Sequence, residues 1–191
     1  MAEYLRGRLA ALGGKVEVVT PADVTRLHDT PPFTAKVMVA RFEGGGTRSI
    51  MLLAHMDTVY PLGALAKRPF RIEGQRAYGP CIADDKGGIA VMLHTLAMLR
   101  SLNFRDYKVI TVVINGDEEI STPGARNLIS KLGGEHDVVF SCEPTPANQT
   151  GHPLGLATSG IGAALMTVRG KSAHAGVAPE LGRNALIELS H

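Results

Sequence analysis

Apolar positions recur along the chain in short runs separated by glycine, proline and charged clusters, and the spacing within each run predicts an element. Tyr4, Leu5, Leu9 and Leu12 fall at helical intervals, and Gly13-Gly14 ends that helix. Residues 15–20 alternate as a short strand before Pro21, residues 23–32 read as a loop, and residues 35–42 as a second strand. Gly44-Gly45-Gly46 is a turn, and residues 49–54 form a third strand whose unbroken apolar character suits a sheet covered on both faces. Residues 58–79 are a long connection punctuated by proline and glycine, of the kind that often carries function.

Ile89, Met92, Leu93, Leu96, Leu99 and Leu102 make one stripe and predict the clearest helix of the chain. Residues 108–114 read as a buried strand, 123–132 as a helix ended by Gly133-Gly134, and 137–141 as another strand. This alternation predicts an α/β fold with a covered, mostly parallel sheet whose site lies outside the carboxyl ends of its strands. From residue 158 the pattern changes to a small-residue strand (160–168), a loop (170–176) and a new helix (182–191). The expected organisation is one domain over residues 1–157 and the start of a smaller α+β domain over 158–191. Both ends read as cut, since the chain opens in one helical pattern and closes inside another.

With 191 residues and 45% apolar content, the chain can build one substantial core, or one domain and part of another. A net charge of +2 without long runs of Lys or Arg gives no electrostatic footprint for nucleic acid or an anionic membrane. No apolar segment is long enough to span a bilayer and the N-terminus lacks the core of a signal peptide, so the chain reads as soluble, cytoplasmic by default. Cys81 and Cys142 are too few for a disulfide framework and read as reduced, small buried hydrophobes.

The polar residues that close the apolar runs carry the chemistry. His55 and Asp57 end the third strand, and strand alternation directs both to one face, so that Asp57 can fix the ring of a ligating His55. Asp84-Asp85 precede the long helix inside a glycine-rich turn, and Asp84, with two oxygens, is the candidate bridge between two cations. After residues 109–114 come Asp117-Glu118-Glu119, with Glu119 expected as ligand and Glu118 as general base. Glu143 closes the next strand. Repeated delivery of acids to the ends of core elements calls for a bound cation. His174 is isolated, and His28, His94, His136, His152 and His191 read as surface or loop residues.

His55-Met56-Asp57-Thr58, the run Gly79 to Gly88, Asp117-Glu118-Glu119, Ser141-Cys142-Glu143-Pro144 and the run Gly170 to Gly176 together resemble the M20 family of zinc peptidases, in wording nearest its glutamate carboxypeptidase (carboxypeptidase G) branch. The resemblance implies two zinc ions, one held by His55, Asp84 and Glu143, the other by Asp84, Glu119 and a histidine beyond this chain. It implies Asp57 as orienter, Glu118 as base, a cis peptide between Asp84 and Asp85, and His174 as an oxyanion donor from a lid or dimerisation domain, with a homodimer formed through that domain. The implied reaction is hydrolysis of a small peptide or N-acyl amino acid next to a free C-terminal carboxylate, glutamate above all. An N-acyl-amino-acid deacylase, a dipeptidase, or a non-catalytic binding protein on the same scaffold are the alternatives; retention of Glu118 favours an enzyme. Cys81 stands where related sequences usually have Gly, and the chain is expected to be a fragment with little activity alone.

Overall fold

The structure, a computed structural model, describes residues 1–26, 30–32, 35–144, 154–157, 160 and 164–190. The chain divides into two compact units, Met1–Pro153 and Leu154–His191. In chain order the first unit contains α1 (Ala2–Ala11), β1 (Lys15–Val19), β2 (Val37–Glu43), β3 (Ser49–His55), α2 (Ala64–Lys67), β4 (Arg71–Glu73), β5 (Arg76–Tyr78), α3 (Gly88–Ser101), β6 (Val109–Asn115), α4 (Arg126–Gly134) and β7 (Val138–Ser141).

Five strands form one sheet in the order β1-β2-β6-β3-β7. β3 pairs in parallel with β6 and β7, while β2 pairs antiparallel with β1 and β6, so β2 alone is reversed and the sheet is mostly parallel in direction. Side-chain alternation feeds two apolar layers. Met38, Ala40, Phe42, Ile110, Val112 and Ile114 pack with Leu5 and Leu9 of α1 and with Ile89, Met92 and Leu96 of α3. Val37, Val39, Met51 and Val113 face the other way, against Ala125 and Leu132. Coverage of both faces is why the central strands read as continuous apolar runs. The start of β7 is held to β3 by Asp137, whose carboxylate accepts from the Ser49 N–H at 2.7 Å; that bond holds its pKa below the ordinary value.

Several expected boundaries move, each for a local reason. Tyr4 is solvent-exposed on the outer side of α1, whose buried spacing is Leu5 and Leu9. Leu102 lies beyond the last turn of α3 and is 72% exposed. α4 starts three residues late, because Gly124 and Ala125 turn around the Asp117 carboxylate, and it runs through Gly133-Gly134 rather than stopping there. The connection 58–79 is not all loop. It contains α2 and a hairpin of β4 and β5 turning at Gly74, φ 60°. Its strands are three residues each and mostly polar, so no alternation announced them.

The second unit contains α5 (Ala185–Leu189), capped by Asn184, whose side-chain oxygen accepts from the Leu186 and Ile187 N–H groups. The expected helix over 182–191 is therefore shorter at its start; residue 191 lies outside the described residues. The strand expected over 160–168 is absent in its described part, 164–168, where Leu165 and Met166 are exposed. A strand needs a ladder partner, and the one bridge described in this unit joins Lys171 to Arg183. Among the described residues no helix is long and apolar enough to cross a membrane.

The ends of β3, β6 and β7 fix the site. His55 is the register partner of Asn115, Leu53 that of Ser141, and Cys142 N–H bonds the Leu53 carbonyl at 2.9 Å, so the residues following three neighbouring parallel strands emerge together. Leu9, fully buried between α1 and the sheet, makes the layer testable. Leu9→Ala should cost roughly 2–5 kcal/mol, read as a lower urea midpoint at unchanged m-value.

Candidate active site

His55 is 1% exposed, and its two ring nitrogens meet different acids. Nδ1 lies 3.2 Å from Asp57 Oδ1; Nε2 lies 2.8 Å from Asp84 Oδ1, 3.8 Å from Glu143 Oε2 and 4.0 Å from Glu118 Oε2. Asp57 does a second job with Oδ2, which accepts from the Glu119 N–H at 2.9 Å, so one carboxylate positions both a ring and the neighbouring acid's backbone. The Glu119 carboxylate in turn accepts from the Val59 N–H at 3.2 Å.

Asp84 and Asp85 lie in an irregular turn, Ile82–Gly87, that leads into α3 and contains a cis peptide between the two acids. The turn separates them: Asp84 is half-exposed over His55, whereas Asp85 is buried and its Oδ2 accepts from the His55 backbone N–H at 3.3 Å. Gly88 is required beside it, since a Cβ there would sit 2.2 Å from both Asp85 Oδ1 and the Cys142 carbonyl oxygen. Asp117 is scaffold rather than chemistry. Its buried carboxylate accepts from Gly124 N–H at 2.6 Å, Ala125 N–H at 3.2 Å and the Asn115 amide at 3.2 Å, holding the Glu118-Glu119 turn against α4. That turn leaves through Ser121 and Thr122, both with positive φ.

Two sets of three side chains bring ligand atoms within 4.8 Å of one another: His55, Asp84 and Glu119, and His55, Asp85 and Glu143. Glu119 thus falls in a set with Asp84, while Glu143 falls not with Asp84 but with Asp85, an acid without an expected role. Its Oδ1 is buried without a hydrogen-bond partner among the described residues. A donor set of one imidazole and several carboxylates, with an orphaned buried oxygen, fits a divalent cation such as zinc.

Charge crowding appears in the titration of these groups. Burial raises Asp85 to about 6 and Glu143 to about 7, and in both cases a neighbouring acid adds to it. Glu118 is raised mainly by burial. Burial pulls His55 down, but its bond to Asp84 and the charges of Glu143, Asp57 and Glu118 outweigh it and hold His55 above its usual value.

His174 lies in the second unit. Its Nδ1 accepts from the Gly176 and Val177 N–H groups at 3.2 and 3.1 Å, which places the proton of the neutral ring on Nε2 as a free donor. One bland expectation needs correction. Cys81 is buried but not merely apolar, for its thiol donates to Thr58 Oγ1 at 2.7 Å; its φ of 61° is a conformation glycine adopts most easily. Burial pushes the Cys142 thiol up to about 11. His136 lies in the loop between α4 and β7, as expected, and is half-buried there, with its ring nitrogens at the Leu132 carbonyl (2.6 Å) and Thr111 Oγ1 (2.8 Å). His94 is exposed as expected, and His28, His152 and His191 lie outside the described residues.

Sheet and site together define the class: the chain belongs to peptidase family M20/M25/M40, whose model matches residues 51–185. It is 49% identical over 167 residues to carboxypeptidase G2 of Pseudomonas sp. (strain RS-16), covering 87% of this chain and 40% of that protein. It is 31% identical over 176 residues to succinyl-diaminopimelate desuccinylase of Gluconobacter oxydans (strain 621H), covering 88% of this chain and 43% of the relative. A tripeptidase from Staphylococcus aureus shares the fold, with a TM-score of 0.65 and 22% identity over 98% of this chain and 48% of that one. The chain thus spans less than half the length of these relatives.

The raised pKa values carry a sign. Folded Asp85 and Glu143 hold protons that their unfolded forms lose, which makes stability fall as pH rises toward about 6 and 7. Charged His55 acts in the same direction, since its contribution is complete below the unfolded value and is lost as pH rises through the folded one. The metal-free protein should therefore melt at lower temperature at about pH 8 than at about pH 5.5, and saturating zinc should narrow or reverse that difference. Gly88→Ala should weaken zinc binding roughly tenfold or more in a chelator competition, whereas Gly134→Ala, where a Cβ meets nothing within 4 Å, should not.

Proposed function

We propose that this chain carries most of the metal centre of a zinc-dependent exopeptidase that cleaves an amide bond next to a C-terminal glutamate bearing a free carboxylate. The observation that supports it most directly is the convergence of His55, Glu118, Glu119 and Glu143, which follow parallel strands, with Asp84 from the turn before α3. The 49% identity to carboxypeptidase G2 favours glutamate. His55, Asp84 and Glu143 would hold one ion, and Asp84, Glu119 and a histidine from sequence beyond His191 the other. Asp85 backs His55 from the core side.

When bound, the metal supplies Lewis acidity toward a carbonyl and lowers the pKa of water. The chain's residues supply the rest. Asp57 holds the Nδ1 proton of His55, which leaves Nε2 free to ligate. Glu118, whose pKa burial raises, takes a proton from water at its carboxylate and gives it to the departing nitrogen. His174 donates from Nε2 to the oxyanion, within a homodimer built through the second unit. Among the described residues β7 is an edge strand, and its Val138, Val139 and Phe140, 38–45% exposed, suit the addition of further strands. A second reading, an N-acyl-amino-acid deacylase, is favoured by the identity to the desuccinylase.

Assayed in the full-length protein, Glu118→Gln should lower N-acyl-glutamate hydrolysis by roughly 10²–10⁴-fold while zinc content stays near wild type. Retained turnover would remove Glu118 as the base. A panel of N-acyl amino acids decides between the two readings: preference for glutamate over neutral residues supports the carboxypeptidase, and preference set by the acyl group supports the deacylase.

A further inference from the structure

The segment between β3 and α3 encloses a cavity of about 280 Å³, lined by Tyr60, Lys67, Arg68, Arg71, Tyr78 and Pro80 among others. Its volume lies below the usual range for whole ligands, which begins near ~300 Å³, so it suits one functional group rather than a complete substrate. Its electrostatics are opposite to those of the metal centre. Lys67, Arg68 and Arg71 are in its lining, and no carboxylate is there among the described residues. Arg71 is fixed and neutralised: its guanidinium stacks 4.4 Å from the Tyr78 ring centre, and its Nε donates to Glu73 at 2.5 Å. Lys67 and Arg68 have no ion pair among the described residues. The cavity therefore keeps two uncompensated positive charges beside aromatic walls.

The walls belong to the same two segments that frame the metal centre. Tyr60 follows Val59, whose N–H bonds the Glu119 carboxylate at 3.2 Å, and the Tyr60 N–H bonds Thr58 Oγ1 at 3.1 Å. That hydroxyl also accepts from Cys81, the residue after Pro80. Pro80 precedes Asp84 by four residues, so their Cα atoms are at most about 14 Å apart. That span is within the length of an extended ligand of a few residues.

We propose that this cavity is an anion subsite in which Lys67 and Arg68 bind a carboxylate or phosphate group on the substrate, at a position remote from the bond cleaved. The assignment rests on the hydrolase reading above for its substrate, but not for its affinity for anions. A guanidinium and an ammonium are the side-chain cations that pair with planar carboxylates and tetrahedral phosphates, and Tyr78, stacked against Arg71, forms part of the wall. The subsite discriminates among substrates by their distant charge, a selection separate from the one made at the terminal carboxylate.

Titration of the metal-free protein with inorganic phosphate, followed by amide NMR, tests the anion site by itself. Wild type should show saturable shifts confined to residues 66–71 and 76–78, the Lys67→Gln/Arg68→Gln variant should lose them, and Lys67→Arg/Arg68→Lys should keep them. Both pairs of side chains are exposed, so the unfolding midpoints should match wild type. In the full-length enzyme the ratio of kcat/KM for an N-acyl amino acid with an anionic acyl group to that for a neutral analogue should fall roughly tenfold or more in the Gln variant. A phosphate response absent from wild type, or identical in the Gln variant, overturns the subsite whether or not the enzyme hydrolyses anything. Phosphate binding with an unchanged substrate ratio reduces it to a basic surface and overturns the substrate role. Phosphate binding in a protein that hydrolyses no N-acyl amino acid overturns the hydrolase reading and the substrate role together, and leaves the anion site standing.

Discussion

Mutual repulsion among the carboxylates gathered around His55 is the constraint to which the rest of the first unit answers. Asp57, Asp84, Glu118 and Glu143 all reach within 4.0 Å of one imidazole, with Asp85 beneath and Glu119 alongside. Partial burial adds a desolvation cost to the repulsion, and it is burial first, with neighbouring acids adding to it, that displaces Asp85 and Glu143 upward. Such a cluster opposes folding in the absence of a cation, so the surrounding structure must be stable for other reasons. Those reasons are the two apolar layers on either side of the sheet, built from β2, β6 and the faces of α1, α3 and α4.

The cluster is held by a small number of bonds that link distant segments. Asp57 joins the β3 end to the Glu118-Glu119 turn, Asp117 joins that turn to α4, and Thr58 joins the β3 exit to Cys81 before the Asp84-Asp85 turn. None of these three side chains needs to touch a metal to matter, because each sets where the backbone of a ligand lies. Apposition of an acidic centre and a cationic cavity follows from the same framing segments: the residues that leave β3 pass first over Glu119 and then line the cavity at Tyr60.

Much of this was legible in the sequence, unevenly. Strands β2, β3 and β6 were plain because burial on both faces leaves their central positions mostly apolar, and α3 because its stripe recurs at helical spacing over 14 residues. The hairpin in residues 71–78 was not legible, since short polar strands carry no alternation. The strand expected in 160–168 shows the converse failure: small apolar residues permit a strand, but only a partner's backbone makes one. Among site residues, His55, Asp57 and Asp84 were marked by their positions at element ends, while Asp117 looked like one more acid beside Glu118 and Glu119.

The sequence alone determined which residue types arrive at the ends of core elements, because periodicity and burial are local properties that any apolar run displays. It also determined the family, through motifs that stand in a fixed order. Only the tertiary structure decided which acids share a space. Adjacent Asp84 and Asp85 are equivalent on paper, yet one stands half-exposed over the His55 ring and the other lies buried beneath its backbone. Likewise, three cations scattered over residues 67–71 say nothing until a hairpin sets one of them against Tyr78 and leaves the other two in the lining of a cavity. Coulomb energy depends on distance and dielectric, and neither exists until the chain is folded.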